Sequence, residues 1–250
     1  MKIVFSRKGF DSASGGSPSP IIDGCPISIP IPAGGRSETT YGDLGLGSIV
    51  SRATDGRLTA ADLCHHDPMF EQGRCAFGQT GAAQTHLDNN GVGVGDVFLF
   101  FGLFATSPGG DPHHRIFAYL EVEDVTKPGT APTPSSQPIG FRYRHPHTIG
   151  GWNANNTIYS GSGNTATTDA SGLRLSLPNG PVSHWVVPSW LRDVGLTYHR
   201  DPARWQAIGT LRAVARGQEF VGDITGSAEA AVWLRSILAM ISGAPAGIPR

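Results

Sequence analysis

Two long apolar runs dominate what this chain can become: Val97-Phe98-Leu99-Phe100-Phe101-Gly102-Leu103-Phe104, and Arg115-Ile116-Phe117-Ala118-Tyr119-Leu120 with its continuation to Val125. Both are rich in β-branched and aromatic residues, and only a short Gly- and His-containing loop separates them, so they read as paired central strands. Nothing else in the sequence matches them in length or apolar content. With 34 Gly and 19 Pro in 250 residues, the remaining elements must be short and joined by many turns. Further strands are expected at 3–6, 157–160, 173–177, 183–187, 211–215 and 219–221, the last two as a hairpin. Helices are expected at 80–88 under a Thr80 cap, and at 227–241, where Trp233, Ile237 and Ile241 recur at four-residue spacing. A capping box from Thr59 to Asp62 predicts one more short helix, stopped by Pro68. Asp201-Pro202 signals a further helical start. These elements describe one β-rich α+β domain over residues 1–250, with a central barrel-like sheet, peripheral helices and a Pro-rich surface loop at 127–138.

Charge and cysteine usage narrow the function classes. A formal net charge of -1 removes general duplex binding through many phosphate contacts, so any nucleic-acid role must be local. Cys25, Cys64 and Cys75 show no paired spacing, which points away from a disulfide framework and toward a reducing compartment. No apolar run approaches a membrane span, and the N-terminal apolar run is too short for a secretion signal. A cytoplasmic location without membrane contact is the expectation. The glycines of Gly91-Val92-Gly93-Val94-Gly95 sit between a helix and a strand, the reverse of a dinucleotide loop, and read as a tight turn.

Polar residues of catalytic type gather at the predicted element ends. Strand 3–6 runs straight into Ser6-Arg7-Lys8-Gly9-Phe10-Asp11, which puts two cations, a glycine and a carboxylate at its mouth. His66-Asp67, Gln84, His86, His145-Pro146-His147, His199 and Gln218-Glu219 stand near other ends. Imidazole beside carboxylate suits proton transfer and metal ligation alike. His145 and His147 project to one side of an extended chain, while no HExxH spacing is present. His65, His113, His114 and His184 read as ordinary surface or capping residues, and Glu219 has a plain alternative as the ion-pair partner of Arg204 or Arg216.

Two resemblances follow from these blocks. Gly95-Asp96-Val97-Phe98-Leu99-Phe100, with Ala118-Tyr119-Leu120-Glu121-Val122 as the returning strand, resembles the strand pair of PUA-like barrels. Such barrels hold flipped or modified bases. More of the chain is covered by SRKGFDS, HDP, GAAQTHLDNNGVGVGDVFLFFGLF, IFAYLEV, HPH, NTIY, LTYHRDPARW and GQEFV in that order, which resembles the nucleotide modification associated domain 3 family. His65-His66 and Met69-Phe70 make the HDP block less typical of it. The resemblance implies a link to modified nucleotides in DNA and carries polar motif positions onto Arg7, Lys8, Asp11, His66, Asp67, Gln84, His86, His145, His147, His199, Gln218 and Glu219.

Three readings stay open on the residues. In the first, the chain is an enzyme acting on a nucleotide or nucleobase, with Asp11, His86, His147, His199 and Glu219 as catalytic candidates. Arg7, Lys8, Gln84 and Gln218 would then bind substrate. In the second it is a non-catalytic PUA-like module for a modified base, and in the third an interaction protein. A divalent transition metal held by some of His86, His145, His147, His199 and Asp67 is compatible with the donor types. The lack of close-spaced ligand pairs beyond His145 and His147 favours metal-free acid–base chemistry.

Overall fold

Side chains of the central strands alternate between two apolar layers, and this alternation sets the architecture. The computed structural model describes residues 1–106, 109–206, 209–215 and 219–243. Its strands are β1 (Lys2–Arg7), β2 (Ser19–Ile22), β3 (Cys25–Pro26), β4 (Met69–Glu71), β5 (Arg74–Gln79), β6 (Val97–Thr106), β7 (His113–Thr126), β8 (Thr157–Thr165), β9 (His184–Val186), β10 (Thr210–Arg212) and β11 (Glu219–Asp223). The helices are α1 (Gly47–Ala53), α2 (Gly81–Asn89), α3 (Trp190–Val194) and α4 (Ala228–Ser242).

One mixed sheet runs in the order β11-β1-β6-β7-β8-β5-β4, with β2 also pairing with β6 and with β3. Ile3, Phe5, Val97, Leu99 and Phe101 face one layer, where Trp185, Trp190, Leu234 and Ile237 cover them. Val4, Phe98 and Phe100 face the other, with Phe77, Leu87, Leu120 and Tyr159. A bulge between Phe100 and Phe101 inserts Phe117 into β7 and puts it on the second layer beside Ala118. A third, smaller cluster of Phe10, Ile29, Tyr41, Val50 and Cys64 fills the region under α1.

The α+β, β-rich expectation holds; among the described residues the sheet path ends at β11 on one side and β4 on the other, with no backbone pairing that closes it. The two central strands, β1, α2 and α4 lie where the sequence puts them. Ser227 caps α4 by accepting the Ala230 N–H, and Trp233 lies against Phe5 at 6.2 Å between ring centroids. The helix expected after Thr59 is absent. Asp62 Oδ2 does take the Thr59 N–H and hydroxyl, yet the chain then enters bridges from Leu63 to Thr40 and from Cys64 to Pro32. Tertiary pairing outcompetes the local cap signal, and the helix of this region is α1, upstream. Residues 173–177 make isolated bridges rather than a strand, and Pro202–Arg204 forms a single 3-10 turn. The predicted final hairpin is also overturned: β10 pairs with β9 in a separate small sheet, while β11 pairs with β1. All three cysteines are free thiols, and no helix among the described residues is long and apolar enough to cross a membrane.

The small sheet is tied to the main one through Trp185, which is fully buried and donates its indole N–H to His114 Nδ1 at 3.0 Å. Burial, then the charge of Arg7, pushes the His114 imidazole from 6.5 down to about 3. The native ring therefore refuses a proton that the unfolded chain accepts below 6.5. Stability from this group is complete above that pH and is lost as the pH falls toward 3, by up to about 1.4 kcal/mol per unit. His114→Gln retains an acceptor for Trp185 without titrating. Urea unfolding across pH 7 to 4 should show a shallower loss in this variant than in the wild type, and parallel curves would remove His114 from the acid sensitivity.

Candidate functional site

The exit of β1, the end of β5 and the start of β11 meet at one end of the sheet, because Ser6 lies opposite Glu219 and Gln79 reaches Glu219 from β5. Two cavities open there. One, of about 160 Å³, is lined by Arg7, Lys8, Asp11, His65, Asp67, Gln79 and His147 among others. The second, of about 420 Å³, shares Lys8, Gly9 and Asp67 with the first and is walled mainly by apolar residues, including Ile27, Leu44, Leu46, Phe70 and Phe117. Asp67 thus stands at their junction.

The 65–67 segment turns tightly, with the His66 N–H bonded to the Cys64 carbonyl and the Asp67 N–H to the His65 carbonyl, and it sets His65 and Asp67 on the smaller cavity. His66 lines the larger cavity, where burial pushes its imidazole down to about 4. Asp67 is nearly enclosed and faces three imidazoles: His65 Nε2 at 3.6 Å and His147 Nε2 at 3.7 Å from Oδ2, and His145 Nε2 at 3.4 Å from Oδ1. The His145 approach is close enough for attraction, yet that nitrogen forms no aligned hydrogen bond. Gly78 donates its N–H to Oδ1 at 3.0 Å. Burial alone would raise the Asp67 carboxyl; the imidazoles of His145, His65 and His147 outweigh it and hold the group well below the usual carboxylate range.

His147 is fixed more firmly than any other ring here. Its Nδ1 lies 2.6 Å from Asn156 Oδ1, while the Asn156 amide nitrogen donates to the His147 carbonyl at 2.9 Å, so the ring nitrogen must be the donor of the first bond. Trp152 stacks on the imidazole at 4.0 Å and 15°, with the Arg36 guanidinium 4.5 Å from the Trp152 ring centroid. Burial lowers the His147 pKa to about 3 against the pull of Asp67. The neutral ring therefore carries its proton on Nδ1 and turns the Nε2 lone pair toward Asp67.

Beside this cluster lies a second buried charge pair. Glu219 Oε1 accepts from Gln79 Nε2 at 2.8 Å, Ser6 Oγ at 3.1 Å and Lys8 Nζ at 3.2 Å, while Oε2 has no partner among the described residues. Lys8 Nζ also sits 4.2 Å from the centroid of the Phe77 ring. Arg7 donates to the carbonyls of Ala215 and Val214, and its Nε is buried without a partner among the described residues.

The expected residues divide into three groups. Arg7, Lys8, Asp11, Asp67 and His147 line the smaller cavity together; His145 and Glu219 stand directly behind it through Asp67 and Lys8. Asp11 Oδ1 is engaged by the N–H groups of Ala13 and Ser14. Other candidates are used within the framework. His86 bonds Thr197 and packs on Tyr198. His199 has both ring nitrogens occupied, by the Thr197 carbonyl and the Val214 N–H. Gln84 donates to Asp88 and to the Tyr159 hydroxyl. None of these three lines either cavity, and Gln218 lies outside the described residues. Sequence reasoning missed His65 and Gln79. Neither carries a local signal, and the extended-chain expectation for His145 and His147 does not hold: Pro146–Thr148 is a 3-10 turn capped by His145.

No curated protein and no solved structure matches the chain. A family model, that of nucleotide modification associated domain 3, matches residues 2–223. That span runs from β1 through β11 and takes in every residue of both cavities, so this chain belongs to the nucleotide modification associated domain 3 family.

Proposed function

We propose that the chain is an enzyme acting on a nucleotide or nucleobase in DNA base modification, with its reacting centre at Asp67. The observation that carries this reading is one enclosed carboxylate facing three imidazoles at the junction of two cavities. Such a cluster costs desolvation that a purely structural site avoids. In this reading the larger cleft takes the base between Phe70, Phe117 and the aliphatic wall, since its volume is that of a small-ligand site. Arg7 and Lys8 lie where a phosphate would enter, and Asp11 rims the same opening. The Gln79–Glu219 bond, which joins the β5 and β11 ends without backbone pairing, supports a barrel-like, PUA-like curl of the sheet.

The test separates binding from turnover. Calorimetry with nucleosides, nucleotides and short single strands carrying natural and modified bases should find a binder, and Phe70→Ala should weaken it by the about 1–3 kcal/mol that one stacked base contributes. Asp67→Asn should retain binding and lose about 10²–10³-fold in turnover, the usual scale for removing one electrostatic group of a reacting centre. Binding that Asp67→Asn leaves intact, with no turnover by any preparation, would favour the non-catalytic module. Absence of binding to every base-bearing ligand would overturn both readings.

A further inference from the structure

We propose that His65 Nε2, Asp67 Oδ2 and His147 Nε2 form a divalent transition-metal site that opens onto the smaller cavity. The three ligand atoms lie within 4.8 Å of one another, and the two imidazole nitrogens stand 3.6 and 3.7 Å from Oδ2. Ligands about 2.1 Å from a tetrahedral ion are about 3.4 Å apart, so both nitrogen–oxygen separations are already close to the spacing that zinc requires.

Hydrogen bonding around the trio points the same way. Asp67 Oδ1 is held by the Gly78 N–H and faced by His145, whose Nδ1 accepts the His147 N–H and whose proton therefore sits on Nε2. Oδ2 is left to the other two rings. His147 gives its one N–H to Asn156, which leaves an Nε2 lone pair directed at a carboxylate oxygen. An ion between Nε2 and Oδ2, which stand 3.7 Å apart, would be held by both atoms at once. A ring nitrogen fixed by a buried amide is also the outer-shell arrangement that orients metal-ligating histidines. Trp152, stacked on the ring, removes its rotational freedom.

Three protein ligands leave a tetrahedral ion one open position, and here that position faces Arg7, Lys8 and Asp11 across the cavity. This deepens the nucleotide-acting reading by naming what stands at its polar end. Two nitrogens and one oxygen suit zinc, iron(II) or manganese(II), and the near-tetrahedral spacing favours zinc.

The experiment is metal analysis and titration of the full chain, purified without chelator, in the absence of any nucleotide. One zinc per chain is expected, and cobalt(II) substituted for it should give the visible bands of a four-coordinate site. His65→Gln and His147→Gln should lose the metal. Asn156→Ala, which removes the orienting acceptor together with the amide donor to the His147 and Gly129 carbonyls, should retain the fold and weaken metal affinity about 10–100-fold. His184→Gln, on the small sheet, should bind as the wild type does. Failure of zinc, iron(II) and manganese(II) alike to bind the wild type, or undiminished binding by folded His65→Gln and His147→Gln, would overturn the site. Nucleotide binding measured separately in chelator tells whether the base-binding reading survives on its own.

Discussion

Gly78→Ala is expected to destabilise the protein by about 1–3 kcal/mol and at the same time to dismantle the Asp67 cluster. A glycine inside a strand is ordinarily a weak point, and alanine there gains about 0.5–1 kcal/mol from lost unfolded-state freedom. Here the sign reverses because the space is taken. A Cβ at Gly78 would overlap ring carbons of His147 and come within 2.8 Å of His145 Cε1. Neither ring can yield cheaply: His147 is clamped by Asn156 and Trp152, and the His145 Nδ1 is bonded to the next turn. The Gly78 N–H that steadies Asp67 shifts with them. Urea denaturation should show the lower midpoint, and the histidine ring signals in nitrogen NMR should move together. Gly93→Ala, where nothing lies within 4 Å and φ is not left-handed, should stay within about 0.5 kcal/mol of wild type. An unchanged midpoint and unchanged ring signals for Gly78→Ala would mean that the histidines do not rest on this strand.

How much of this site could be read beforehand depends on what kind of information places each residue. β1, β6, β7, α2 and α4 are legible because continuous apolar runs, a cap signal and a four-residue apolar pattern are local properties, and they carry Arg7 and Phe117 with them. The pairing of β11 with β1 was not legible, since Ser6 and Glu219 are joined by register rather than by sequence proximity. Taking 211–221 for a hairpin therefore separated Glu219 from its true partners Ser6, Lys8 and Gln79. A single histidine beside His66 has no distinguishing pattern; the tight turns after the bridge of Cys64 to Pro32, which no local signal announces, bring His65 and Asp67 to the cavity. His199 is the converse case, standing outside both cavities. Its motif is conspicuous, yet a backbone carbonyl and a backbone N–H consume both ring nitrogens, and such bonds leave no trace in composition or spacing. Polar residue types were thus informative about which blocks matter, while backbone partners decided which of their side chains face the cavity.

The Lys8–Glu219 pair is the second place where one substitution should have a large effect, and its sign structure is specific. Glu219 is 1% exposed and Lys8 11% at the side chain, so Lys8→Met leaves a carboxylate in an enclosed site with two neutral donors and an Oε2 already without a partner among the described residues. Breaking a buried pair from one side costs about 3–5 kcal/mol. Glu219→Gln should cost less, because Lys8 keeps the Phe77 face as a second partner and the new amide oxygen still accepts from Ser6 and Gln79. The combination of Lys8→Met with Glu219→Gln removes both charges while preserving those two acceptor contacts. It should therefore be more stable than Lys8→Met alone, although it carries one substitution more. Denaturant unfolding of the wild type, both single variants and the double closes the cycle. Additive losses would show that the two charges act independently; the expected coupling would instead make the pair the clasp that holds β11 against the β1 exit, with the smaller cavity opening beside it.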